Sequence, residues 1–388
     1  MRIFPTREGG HPGGAGRRRP RWLLAATLTS VLASAAPPAH AEGGWAAVPE
    51  MLQARTGHGT TTAPCPEAVD GLGKGPCVYV VGGHPLEAAL SAHAYSPRTR
   101  TWAKLPSMSV GRSGLAAAAA PCPKGDKALK GTCVYAVGGT NGSGSLTTVE
   151  AYSPATNTWA ALPAMPTGRG FLGATASPCP TVAAAPARTC VYAVGGSTRG
   201  SGTATSLSAV EVYDPATGTW SALPELPTPR RSLGATSATC PGAVALRAPS
   251  CVYAVGGVDA AEPVGTVEVL DPGTRAWRKL PGVPTARRGM GVTSGPCPGA
   301  TTVPAGTCVY GIGGSSTTQT LAVATTEVFT PGTGGWSSLP SLPRARFGFG
   351  ATAAPCSDDL SRTCVYAPGG AVGTTPGTEV TAFDVSRP

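Results

Sequence analysis

Cys133-Val134-Tyr135-Ala136-Val137-Gly138-Gly139 is the stretch on which the reading of this chain turns. A short apolar run that stops at two glycines reads as a buried strand ending in a turn. The same ending recurs six times, at Gly82-Gly83, Gly138-Gly139, Gly195-Gly196, Gly256-Gly257, Gly313-Gly314 and Gly369-Gly370, at intervals of 56, 57, 61, 57 and 56 residues. After the first five come Tyr95 and Trp102, Tyr152 and Trp159, Tyr213 and Trp220, Leu270 and Trp277, and Phe329 and Trp336, each with six residues between. A fixed period of this length marks one structural unit copied around or along an axis.

Within one unit, Arg112-Ser113-Gly114-Leu115 leads into a run of alanines, then Pro121-Cys122-Pro123 and a polar loop. The Cys133 run follows, then a Gly/Ser/Asn loop, Thr148 to Tyr152, the turn Ser153-Pro154-Ala155-Thr156-Asn157, Thr158-Trp159 and finally Leu162-Pro163. These short runs bounded by turn residues predict four strands and no helix, which is the content of one β-propeller blade. Small residues such as Gly173-Ala174-Thr175-Ala176 suit the crowded innermost strand, and the tryptophans suit the broad outer one.

The double glycine after an apolar strand, followed by Tyr-six residues-Trp, resembles the kelch repeat. The likeness covers nearly all of the chain after residue 41. The sixth unit lacks its tryptophan, and in it Thr381 aligns with the tyrosine position. Trp45-Ala46-Ala47-Val48-Pro49 followed by Arg55 matches Trp102 to Pro106 followed by Arg112. The expectation is therefore an all-β, six-bladed kelch-type propeller closed by an N-terminal outer strand containing Trp45. Closure satisfies the strand edge that an open array exposes.

The first 41 residues read as a secretion signal. Arg17, Arg18, Arg19 and Arg21 precede the apolar stretch Trp22 to Ala36, and Ala39-His40-Ala41 offers the small residues of a cleavage site. The adjacent arginines leave both the general and the twin-arginine export routes open. The apolar stretch is short for a membrane anchor, and no later segment reaches spanning length. Residues 42–388 then form one domain. The 30 basic and 20 acidic residues fall to 24 and 19 without the leader's six arginines and Glu8, so the net charge drops from +10 to +5. That value gives no support to nucleic-acid binding.

Twelve cysteines fall into six neighbouring pairs. They are Cys65 with Cys77, Cys122 with Cys133, Cys179 with Cys190, Cys240 with Cys251, Cys297 with Cys308, and Cys356 with Cys364. Each pair recurs at one place in its unit, no further His or Cys ligands accompany it, and an export signal stands in front. Six local disulfides, one staple for each blade, are the reading.

Arg55, Arg112, Arg169, Arg230, Arg287 and Arg346 each stand four residues before the innermost-strand position. They are expected around the channel mouth, on the face of the loops that follow the glycine pairs. Six cations there would favour an anionic ligand, a carboxylate sugar, sulfate or acidic peptide. In some kelch proteins this is the partner-binding face. The competing reading makes them scaffold, paired with carboxylates such as Glu150, Glu211, Glu268, Glu327 and Glu379, with His93 the exception in the first unit. Residues that break the repeat, Arg231, Arg288, Arg344, Phe171, Phe347 and Phe349, are then the candidates for specificity, and the long loop Ser197 to Ser208 flanks them.

The histidines after residue 41, His58, His84 and His93, all lie in the first unit, where packing or surface roles outweigh a metal site. Copper oxidases with kelch-like propellers need a free cysteine, Asp-box turns are absent, and no nucleophile elbow or phosphate loop occurs. The expected function is a secreted, monomeric interaction module without cofactor or catalytic residues, binding a protein or an anionic glycan. The alternatives are an exported sugar mutarotase or isomerase and a surface adhesin.

Overall fold

The computed structural model describes residues 44–180, 188–198, 204–242, 250–260, 262–299, 306–317 and 321–387. The expected leader, residues 1–41, lies outside them. Six four-stranded antiparallel sheets follow the repeat. In blade 2 the strands run from the axis outward as Ala116–Pro121, Thr132–Val137, Val149–Ser153 and Thr158–Leu162. Blade 1 begins at Gly59–Pro64, blade 3 at Gly173–Pro178, blade 4 at Gly234–Thr239 and blade 5 at Gly291–Pro296.

Blade 6 is built from both ends of the described chain. Its inner three strands are Thr352–Pro355, Thr363–Pro368 and Val380–Asp384, and its outer strand is Trp45–Val48. Trp45 stands opposite Phe383, just as Trp102 stands opposite Tyr95. The structure thereby moves one alignment. Thr381 faces Ala367 as Glu150 faces Ala136, so Thr381 occupies the glutamate position and Phe383 the aromatic one. Glu379 lies two residues outside that register. The cause is the pairing with Trp45, which an alignment ending at Pro388 does not contain.

The core sits between blades. Tyr79 and Val81 of blade 1 share one cluster with Val134, Ala136 and Tyr152 of blade 2, and the pattern repeats around the ring. The second strand of each blade is buried along nearly its whole length, which explains its unbroken apolar sequence. Each tryptophan indole among the described residues also donates to the carbonyl of a proline in the preceding blade, as in Trp102 to Pro49 at 2.8 Å and Trp159 to Pro106 at 2.8 Å. The proline that closes each unit is the acceptor for the next.

All six disulfides form within their blades, joining the end of the inner strand to the start of the second. The bridges are Cys65 to Cys77, Cys122 to Cys133, Cys179 to Cys190, Cys240 to Cys251, Cys297 to Cys308, and Cys356 to Cys364. Their role extends beyond stapling a loop. The second cysteine of each pair, Cys77, Cys133, Cys190, Cys251, Cys308 and Cys364, is at most 2% exposed. Each packs inside one of the apolar clusters, because it opens the fully buried second strand. These six sulfurs therefore fill core volume as well as closing a loop, and none of the cysteines lines the central channel.

The tyrosine two residues after each second cysteine clamps the same loop. Tyr135 donates its hydroxyl to the Pro121 carbonyl and Tyr310 to that of Pro296. Among the described residues no helix is long and apolar enough to cross a membrane.

Candidate functional site

The face bearing the glycine-pair loops is organised by the segment that begins at each arginine. Two residues after it stand Gly57, Gly114, Phe171, Ser232, Gly289 and Gly348, all with left-handed backbone. Their peptides form a closed ring about the axis. Gly114 N–H donates to Gly57, Phe171 to Gly114, Ser232 to Phe171, Gly289 to Ser232, Gly348 to Gly289 and Gly57 to Gly348, at 2.6–2.9 Å. One residue per blade thus sets the width of the channel at this face. Four blades meet the backbone demand with glycine, whereas Phe171 and Ser232 hold φ of 53° against the preference of their side chains.

The glycine pairs complete the same contact. The second glycine of each pair donates its N–H to the carbonyl of the next blade's arginine, from Gly83 to Arg112 at 3.0 Å round to Gly370 to Arg55 at 3.0 Å. A side chain at Gly138 would stand 2.5 Å from the Arg169 carbonyl. The motif that marks each repeat is therefore a junction between repeats.

The six arginines do not ring the mouth as expected. Each is at most 2% exposed, and none lines the channel. Arg112 pairs with Glu150 at 2.8 Å, Arg287 with Glu327 at 2.8 Å, and Arg169 and Arg230 with Glu211 and Glu268. Glu150 also accepts from the Ser109 backbone and hydroxyl at 2.7 and 2.6 Å. Burial lowers the arginine pKa values and the adjacent carboxylates raise them. Extending outward from the axial loop, each guanidinium is consumed in holding its own blade to the connection that enters it. An anionic ligand in the channel would not reach it.

Blades 6 and 1 depart from this pattern. Arg346 donates to Thr381 Oγ1 at 2.6 Å and only reaches Glu379, itself partly exposed, at 3.4 Å. Arg55 meets no carboxylate among the described residues. Its Nη2 donates to His93 Nδ1 at 3.0 Å, and its Nη1 to the Gly82 carbonyl at 2.9 Å. Burial pushes its pKa down to about 10.

Residues that break the repeat lie where the arginines were expected. A central channel of about 600 Å³ is lined by the inner strands together with Phe171, Arg288, Phe347, Phe349 and the exposed His84. The Arg288 guanidinium stacks on the Phe347 ring at 5.6 Å, and its Nε donates to the Thr317 carbonyl at 3.1 Å. Burial, and then neighbouring Arg231, lower its pKa. Arg231 donates to Ser206 Oγ at 3.0 Å. Phe171 is 38% exposed, its ring against Gly114. Phe349 is buried against Arg346 at 5.4 Å, and Arg344 is exposed outside the lining. Of the Ser197 to Ser208 loop, residues 199–203 lie outside the described residues; Ser197–Thr198 pairs with Thr205–Ser206.

The mouth thus carries aromatic or cationic side chains on blades 3, 5 and 6, facing hydroxyls such as Thr56 and Ser113 on blades 1 and 2. The first unit's histidines separate: His58 and His93 are buried, and His84 is exposed. The cluster of potential metal ligands among the described residues is Cys179, Cys190 and Asp214, and both cysteines are spent in a disulfide.

The fold is that of a six-bladed repeat propeller. The kelch motif matches residues 128–166, 178–227 and 239–284. The chain is also 29% identical over 269 residues to Kelch-like protein 35 of Mus musculus, a match that covers 69% of this chain and 38% of that protein. The chain belongs to the kelch-repeat family.

Proposed function

We propose that this chain is an exported interaction propeller that recognises an anionic partner through the axial mouth of its loop face. The observation that carries the reading is Arg288, stacked on Phe347 beside Arg231 in a lip where the other four blades put neutral residues. A guanidinium held over an aromatic ring keeps its charge, and its planar fork of N–H donors suits a carboxylate or sulfate. Two cations placed close together attract an anion more strongly than either alone. The six buried arginines act as positioning residues that hold the loops. Export is supported by the basic and apolar leader pattern and by six disulfides, which persist in oxidising compartments.

The test is a binding screen of the chain from residue 42 onward against acidic peptides and acidic glycans. Hits are then titrated with Arg231→Ala, Arg288→Ala and Phe347→Ala. Each substitution should weaken binding at least tenfold and leave melting temperature within a few degrees. A hit whose affinity is indifferent to all three would remove the mouth as the site.

A further inference from the structure

Blade 1 is the copy in which two buried positions change character together. Three residues after the arginine, the other five blades carry Leu115, Leu172, Leu233, Met290 and Phe349; blade 1 carries His58. At the register position opposite Ala136 in blade 2, four blades carry glutamate and blade 6 carries Thr381; blade 1 carries His93. Both imidazoles are buried, at 4% and 3% exposure, beside Arg55. Arg55 lies on the segment that leads from the closing strand Trp45–Val48 into blade 1.

Hydrogen bonding determines which proton each ring lacks. A guanidinium has no acceptor, so His93 Nδ1 must present a lone pair to Arg55 Nη2. The Pro368 carbonyl only accepts, so His58 Nε2 carries the proton that reaches it at 3.1 Å. His58 Nδ1 is then bare and buried without a partner. Adding a proton to either ring breaks the first contact or strands a charge in the second. The charged groups facing His93 are Arg55 and Lys104, and those facing His58 are Arg55 and Arg346. All are cations, and Glu379 beside Arg346 is the nearby carboxylate.

The same segment closes the ring without a covalent link to the blade it completes. Trp45–Val48 is held to Val380–Phe383 by strand pairing and side-chain packing, and the segment that follows is tied by Met51 N–H to the Thr378 carbonyl and Arg55 N–H to that of Gly377. We propose that His58 and His93 make this closure an acid-released latch, in which their protonation frees residues 45–58 from blades 6 and 1 while the disulfide-stapled blades remain folded.

The sign follows from burial. Both imidazoles are held down to about 3 in the closed ring, chiefly by burial and then by Arg55, against an ordinary value near 6.5. The latch is therefore fully closed above about pH 6.5 and weakens progressively as pH falls towards 3. Each histidine takes up one proton on opening, so the open-to-closed ratio rises about tenfold per pH unit for one and about a hundredfold for both.

Hydrogen exchange measured by mass spectrometry on the disulfide-intact chain, between pH 7.5 and 4 and corrected for intrinsic rates, tests this. Peptides covering 45–58 and 377–384 should lose protection first, with a steepness near two protons. The double variant His58→Leu, His93→Glu, which installs the residues of the other blades, should flatten the dependence, and His58→Leu alone should halve it. Simultaneous loss of protection in all six blades would overturn the proposal. An unchanged steepness in His58→Leu would do the same.

Discussion

The Trp45 indole donates to the Pro340 carbonyl at 2.9 Å, joining residues 295 positions apart. Every other blade makes the same bond between consecutive units, so this one carries the repeat across the gap between its ends. Trp45→Ala removes the bond and the stacking on Phe383 at 5.5 Å. The expected loss is about 2–3 kcal/mol, less than for a fully buried tryptophan because the indole is half-buried. Removing residues 42–48 should cost more and broaden the transition. Thermal melts of disulfide-intact protein check both.

Arg112→Ala should cost about 3–5 kcal/mol, because it leaves Glu150 charged and buried. The double variant Arg112→Met, Glu150→Leu should recover most of that loss, since neither residue then holds an unpaired charge. Denaturant titration of the three proteins measures the difference. Equal losses in single and double variants would show that the guanidinium matters for its carbonyl contact rather than for the ion pair.

Gly139→Ala meets two obstacles. The backbone sits at φ 109°, and the new Cβ would stand 3.0 Å from the Ser113 carbonyl. A penalty above about 2 kcal/mol is expected. Gly142→Ala, three residues on, has open space around it and serves as the neutral control. Melting temperatures of the pair provide the readout.

Arg275 holds a left-handed backbone, at φ 56°, in the hairpin turn where blade 3 has Gly218 and blade 5 has Gly334. Arg275→Gly relieves that conformation and should add about 0.5–1 kcal/mol, the gain reduced by the greater freedom of glycine in the unfolded chain. Phe171→Gly relieves the same strain at the channel mouth. Its stability should shift by less than about 1 kcal/mol while affinity for the anionic partner falls, a separation that calorimetry and binding titration resolve together.

Cys122→Ala with Cys133→Ala opens the loop of blade 2. Chain entropy sets the loss at up to about 3 kcal/mol. The Tyr135 hydroxyl still clamps the Pro121 carbonyl across that loop. The clamp reduces the share of the loss due to loop opening, the emptied volume of the buried Cys133 sulfur adds to the total, and the loss should grow when Tyr135→Phe is added. Denaturation of the variants with and without Tyr135→Phe compares them.

Architecture, blade count and the pairing of every cysteine are written in the order of the residues. They are legible there because glycine pairs, tryptophans and Cys-Val-Tyr runs answer local demands that recur in each unit. Even the closure by Trp45 shows in the Trp-to-Pro-to-Arg spacing. The register of blade 6 does not, although Phe383-Asp384 resembles Tyr213-Asp214, because the partner strand that fixes it comes from the other end of the chain. Nor does the burial of Cys77 or Cys364, which depends on the neighbouring blade. Which arginines line the channel emerges only on folding. A periodic arginine looks the same in sequence whether it points to solvent or to a glutamate 38 residues on, as Arg112 does to Glu150. Burial between sheets turns the repeated cations into scaffold, and it leaves Arg288, Phe171 and Phe347 to distinguish one side of the mouth from the other.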